Sequence, residues 1–287
     1  MRRAPLRLLR HQSSKAPKMT VSIGAVSYLN TKPLIYGLEQ RLPDCRLELD
    51  LPSRLADDLT AGALDVALIP SVEFLRGTQF SIISDACIAC RGPVRSVRVL
   101  FRRPPHQVRS LALDEGSRTS AVLAQVLLAR KFGLRPALLP FRIDADVAAV
   151  EADAILMIGD RAMNIDASDY VADWDLGEQW TLETQLPFVF AMWVAGPAIA
   201  GLPAVANVLT DALQLTRDAG LAHIEDIVAQ EAPRYGLTAD DCRAYFLEQL
   251  HFTLGPRELA GLERFRHWAV ELDLLPAASQ QLNLTYL

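Results

Sequence analysis

From Pro203 to the end of the chain the sequence offers one helical pattern after another and no strand. The stretches are "VANVLTDALQLTRDAG", "HIEDIVAQEAPRYG", "ADDCRAYFLEQL" and "PRELAGLERFRHWAVEL". Before Pro203, short apolar runs alternate with amphipathic segments. Amphipathic helices must bury their apolar faces, and these have no sheet of their own, so they must cover a sheet built earlier in the chain. The expected course is therefore a chain that builds part of one lobe, crosses to a second, and returns. The fold class expected is α/β, two-lobed, with two mostly parallel sheets flanked by helices and a ligand cleft between them. The boundaries expected are 19–101 plus 192–287 for the first lobe and 102–191 for the second.

The strands read as "VSIGAV", "CRLELDL", "LDVALIP", "FSIISDACIAC", "SVRVLFRR", "SLALD", "ALLPF", "DAILMIGD" and "PFVFAMWVAG". Helices read as "TKPLIYGLEQRL", "PSRLADDLTAG" with Ser53 as its N-cap, a short one opened by Ser71, and "SRTSAVLAQVLLARKFGL" ended by Gly133. At 287 residues, 51% hydrophobic, the chain can bury such a core. In this class a ligand sits at the carboxyl ends of the strands.

What those strand ends carry is polar and mostly uncharged. The first gives Ser27, Tyr28 and Asn30, and the third gives Ser71. The crossing strand starts at Arg95 and Ser96. "LDEGSRTS" sets Ser117, Thr119 and Ser120 at a helix start, and "LMIGD" ends on Asp160. Helix N-termini with hydroxyls and free amides suit anions. Each hydroxyl taken singly reads as a helix cap and Asn30 as a turn former; several converging on one cleft read as a site. In "QWTLETQLPFVFAMW", Trp180, Phe188, Phe190 and Trp193 could stack on a ring. Phe190 and Trp193 are expected in the core, with Phe188 bordering the cleft.

Other chemistries lack their signatures. There is no phosphate-binding glycine loop, HExxH or GxSxG motif, and no histidine falls at a strand end. Cys87 and Cys90 form a lone CxxC within a strand-like run, which reads as buried side chains rather than a zinc or redox site. No metal or cofactor is expected. Residues 1–18 carry six basic residues and no acidic one, and are read as a disordered basic leader or a misassigned start before Met19. Without them the net charge of −5 becomes −11. Nucleic-acid binding is therefore not expected. There is no run of about 18 apolar residues, so no membrane association is expected. The partner expected is a small molecule, the chain a cytoplasmic monomer or homodimer.

Six motifs, "IGAVSYLNTKPL", "LPSRLADDLTAGALDVALIPSVEFL", "GPVRSVRVLFRR", "LALDEGSRTSAVLAQVLL", "LMIGDRAM" and "DLGEQW…LPFVFAMW", resemble in this order the menaquinone-biosynthesis family of the futalosine route. The resemblance covers roughly residues 21–196. It implies the fold of the type 2 periplasmic binding proteins. The family has a chorismate dehydratase branch and a branch that makes dihydroxynaphthoate. SYLNT at Ser27–Thr31, where the second branch resembles SPCPNDT, implies the dehydratase branch. The resemblance also implies Asn30 and Ser96 as catalytic groups, "SRTS" as the grip on a substrate carboxylate, and Asp160 as a cleft residue. Ser27, Tyr28, Ser71 and Arg95 complete the expected binding set. One departure is Gln185, where the family pattern leads one to expect Gly. The rival readings are the sister enzyme, a non-catalytic small-carboxylate-binding protein, and a regulatory ligand-binding domain.

Overall fold

The computed structural model describes residues 20–77 and 79–279; the expected leader, residues 1–18, lies outside them. The chain opens with β1 (Val21–Val26), a short turn of helix at Leu29–Thr31, α1 (Lys32–Ile35) and α2 (Leu38–Arg41). The single helix expected over 31–42 is thus interrupted at Tyr36–Gly37. Next come β2 (Cys45–Asp50), α3 (Pro52–Ala61), β3 (Val66–Pro70), α4 (Ser71–Arg76) and β4 (Ser81–Cys90). Ser53 is not the N-cap of α3. Pro52 takes the first helical turn, where its missing N–H costs nothing, and Leu51 becomes the cap.

The second stretch holds β5 (Val97–Phe101), β6 (Ser110–Asp114), α5 (Arg118–Phe132), β7 (Ala137–Phe141) and β8 (Ala154–Ile158). It continues through α6 (Asp160–Met163), β9 (Ala172–Asp175) and α7 (Leu176–Thr184). The chain then returns through β10 (Phe188–Ala195), α8 (Pro197–Ala200), α9 (Pro203–Ala222), α10 (Ile224–Glu231), α11 (Ala239–Ala244), β11 (Leu250–Thr253) and α12 (Pro256–Glu271).

Two sheets result, ordered β11-β4-β10-β3-β1-β2 and β7-β6-β8-β5-β9. Each is mixed. β1 runs parallel to β2 and β3, but β10 is antiparallel to β3 and β4, because it re-enters the first sheet from the other side. β5 and β8 likewise pair antiparallel. The change of sheet falls before Val97, and the return before Phe188. Residues 97–101, expected with the first lobe, hydrogen-bond β8 and β9 in the second sheet instead. Residues 188–191, expected with the second, pair with β3 and β4. The tail is not purely helical either. Its "LHFT" forms β11, which covers the open edge of β4.

Burial follows this layering. β3 and β10 are buried at every residue, as strands covered on both faces must be. β7, at the edge of the second sheet, is exposed at four of five positions and carries Pro140. Trp180, Phe188, Phe265 and Trp268 meet edge to face where α7 and α12 pack on β10. Among the described residues no helix is long and apolar enough to cross a membrane.

Candidate active site

Between the sheets lies a cleft of about 510 Å³, counting space open to solvent. Tyr28, Asn30, Pro52, Pro70 and Phe190 line it from the first sheet's side. Ser117, Thr119, Ser120, Ile158 and Gly159 line it from the second, with Val94 and Ser96 at the crossing.

Each wall is built by a local rule. α5 is capped by Ser117, whose Oγ accepts the Ser120 amide at 3.3 Å. Such a cap contributes about 1 kcal/mol. The first four amides of a helix lack intrahelical acceptors. With Ser120 capped and Ala121 bonded to the Ser117 carbonyl, the Arg118 and Thr119 amides remain at the positive end of a 15-residue helix. Thr119 is held by two bonds, since its Oγ1 accepts the Val72 amide at 3.2 Å and lies 3.4 Å from Ser71 Oγ. Gly159 has φ +65, and a Cβ there would stand 3.1 Å from the Tyr28 ring. The left-handed φ calls for glycine, and the absent Cβ lets the Tyr28 ring come close to that backbone.

The crossing is pinned by Asp175. Its carboxylate accepts the amides of Val94, Arg95, Gly177 and Glu178, so it caps α7 and fixes the loop before β5 together. Arg95 sits at φ 62, a left-handed conformation rare for a side-chain-bearing residue. Its guanidinium donates to Asp241 at 3.0 Å. Next to it, Ser96 is 1% exposed and accepts from the Tyr245 hydroxyl at 2.9 Å. Asn30 Oδ1 accepts the Thr31 hydroxyl at 3.3 Å.

Of the ten residues expected at the site, Tyr28, Asn30, Ser96, Ser117, Thr119 and Ser120 line the cleft. The other four do not. Ser27 points to solvent, and its amide extends the β1–β2 ladder to the Asp50 carbonyl. Ser71 is fully buried and donates to the Val189 carbonyl at 2.7 Å, beneath the cleft floor. Arg95 turns away to Asp241. Asp160 lies behind Tyr28 and accepts the Leu29 amide at 3.2 Å. The aromatic expectation is reversed. Phe190 lines the cleft, whereas Phe188 is 1% exposed among Trp180, Phe190 and Phe265. Tyr245 carried no expectation. It comes from a π-helical turn of the tail, 149 residues from Ser96. Gln185 ends α7 at φ 58, the left-handed position that glycine adopts freely.

Burial governs the titratable groups around the cleft. Burial, then the carboxylates of Asp114 and Asp160, push the Tyr28 phenol well above its ordinary range. Burial raises Asp160 to about 6, against the Leu29 amide and Lys32, which favour its ionised form. A carboxyl with a raised folded-state pKa binds more protons folded than unfolded between its two pKa values. Stability therefore falls as pH rises from about 4 to 6. Asp160→Asn is expected to remove this loss, gaining on the order of 2 kcal/mol relative to wild type at pH 7 over pH 4. Urea unfolding of both proteins at the two pH values checks it; a pH-independent gap between them contradicts it.

The menaquinone-biosynthesis family model matches residues 21–271. A chorismate dehydratase of Thermus thermophilus is 29% identical over 234 residues, 75% of this chain and 83% of that protein. A chorismate dehydratase of Campylobacter jejuni is 30% identical over 177 residues, 58% of this chain and 64% of that one. The fold is that of the periplasmic aliphatic sulphonate binding protein of Escherichia coli, with a TM-score of 0.60 at 14% identity, over 91% of this chain and 94% of that chain.

Proposed function

The chain belongs to the menaquinone-biosynthesis family, and from that membership we propose that it is a chorismate dehydratase, eliminating water from chorismate to give 3-(1-carboxyvinyloxy)benzoate. It is then a carbon–oxygen hydro-lyase of the cytoplasm, whose two sheets are the lobes that hold the substrate. The observation that carries this reading is the meeting of Asn30, Ser96 and the N-terminus of α5 in one cleft. The relatives named chorismate dehydratase support it.

Chorismate has two carboxylates, an enolpyruvyl ether, and a hydroxyl on the adjacent ring carbon. In the reaction the C–H bond at the ether-bearing carbon breaks and its electron pair becomes a ring π bond. The neighbouring C–O bond breaks, and the hydroxyl leaves as water with that proton. The product ring is aromatic, so much of the driving force lies in the substrate. The protein's part is to orient the reacting groups and stabilise developing charge.

In this assignment Ser117, Thr119 and Ser120, with the open amides of α5, hold one carboxylate. This is a local anion site in a chain whose net charge is −5. Asn30 and Ser96 hydrogen-bond the departing hydroxyl or the second carboxylate. Tyr28 and Phe190 bound the ring. The substrate's own enolpyruvyl carboxylate accepts the proton. Ser71 and Asp160 act behind these groups, holding Thr119 and the Leu29 turn that precedes Asn30, while Arg95 ties the crossing loop to Asp241.

The reading is tested by following the disappearance of chorismate with no added metal or cofactor. Wild type is expected to consume it with saturation kinetics. Ser120→Ala, which removes one carboxylate contact made in ground and transition states alike, is expected to raise KM by about tenfold with kcat little changed. No consumption by folded wild type contradicts the proposal. An unchanged KM in Ser120→Ala removes Ser120 from the carboxylate grip.

A further inference from the structure

Ser96 is approached from the far end of the chain. Tyr245 leaves α11 into the π-helical turn Tyr245–Gln249, a form enriched at functional sites. Its side chain is 1% exposed, and its hydroxyl donates to Ser96 Oγ at 2.9 Å. The Asn30 side chain lies near enough to the same phenol to bear on its ionisation. Asn30 Oδ1 accepts the Thr31 hydroxyl at 3.3 Å. One buried hydroxyl from the tail thus bonds one of the two side chains assigned to the chemistry, Ser96, and lies near the other, Asn30. Tyr245 does not itself line the cleft.

We propose that Tyr245 is a positioning residue for the dehydration, directing the Ser96 proton into the cleft. A serine hydroxyl has one proton and two acceptor positions. With an acceptor position filled by Tyr245, the Ser96 O–H is left to donate towards the substrate. Without the phenol oxygen, the Ser96 hydroxyl rotates freely and a buried oxygen loses its partner. Tyr245 also explains how the strand-poor tail matters to the site: it carries the group that fixes the crossing loop's one reactive side chain. The inference rests on the dehydratase reading of the cleft.

The test compares wild type, Tyr245→Phe, Ser96→Ala and the double variant as full chains, with chorismate as substrate. For each, kcat, KM and the thermal midpoint are measured. Tyr245→Phe is expected to lower kcat by about tenfold, the worth of one well-placed hydrogen bond, and to change KM by less than about twofold. In the Ser96→Ala background the same change is expected to alter kcat by less than about twofold, because the group it positions is gone. Wild-type kcat in Tyr245→Phe overturns the proposal. So does a tenfold loss that recurs in the Ser96→Ala background, or a collapsed thermal transition, since either marks a purely structural tyrosine. An inactive wild type fails the dehydratase reading itself and is recognised from that control alone.

Discussion

Asn30→Ala is expected to lower kcat on chorismate by about 10²–10³-fold, the usual worth of one preorganised donor aimed at developing charge. Asn30 is the middle residue of the short turn Leu29–Thr31 that follows β1, with its Oδ1 held by Thr31. That bond orients the amide in the absence of substrate. Alanine removes both the donor and the bond to Thr31 without filling the cleft. Steady-state kinetics, with an unfolding curve to show that the variant is folded, checks the outcome. A kcat within a few-fold of wild type would place the chemistry elsewhere.

Gly220→Ala is expected to cost about 3 kcal/mol of stability, at the upper end for inserting one methyl into a packed core. A Cβ on Gly220 would stand 2.1 Å from the Pro33 carbonyl oxygen, with the Pro33 carbonyl carbon and Cα at 2.7 Å. These are backbone atoms, so no side chain can swing aside. Relief requires α9 to move off α1, the helix that follows directly on Asn30 and Thr31. The urea midpoint is expected to fall with an unchanged slope, and activity with it, because α1 anchors the Asn30 turn. Gly201→Ala, whose added Cβ meets its nearest atom at an ordinary 3.6 Å, is the control and stays within about 0.5 kcal/mol. Equal midpoints for the two variants would contradict the close contact.

Both effects turn on how the tail meets the first strand's turn, and this is where a linear reading is weakest. Polar groups at strand ends are legible because the signal is local. SYLNT and SRTS each carry their hydroxyls and their helix start within five residues, so Tyr28, Asn30, Ser117, Thr119 and Ser120 could be placed at a cleft without coordinates. Direction is not local. Ser71 opens a helix as read, yet its hydroxyl turns under the floor to Val189. Phe188 and Phe190 share a strand face, and only the packing of α7 and α12 decides which one is covered. Tyr245 carries no motif. Its importance arises from a contact with Ser96 across 149 residues.

The same limit applies to the fold. The continuously apolar strands, β3 and β10 among them, are visible as runs, and the layered α/β order follows from them. β9 and β11 are four residues each, "ADWD" and "LHFT", too short to show a period, and each exists because a neighbouring strand offers it hydrogen bonds. The crossing at Arg91–Ser96 was placed a few residues late, since the handover is fixed by Asp175 gripping the Val94 and Arg95 amides from 80 residues away.

The central claim is that this cleft removes water from chorismate and leaves the enolpyruvyl ether intact. The direct measurement is the mass and structure of the product after the purified chain is incubated with chorismate alone. The account predicts one product, lighter by one water, with an aromatic ring and the carboxyvinyl ether still attached. Chorismate recovered unchanged from folded protein, or free pyruvate in the mixture, would contradict it.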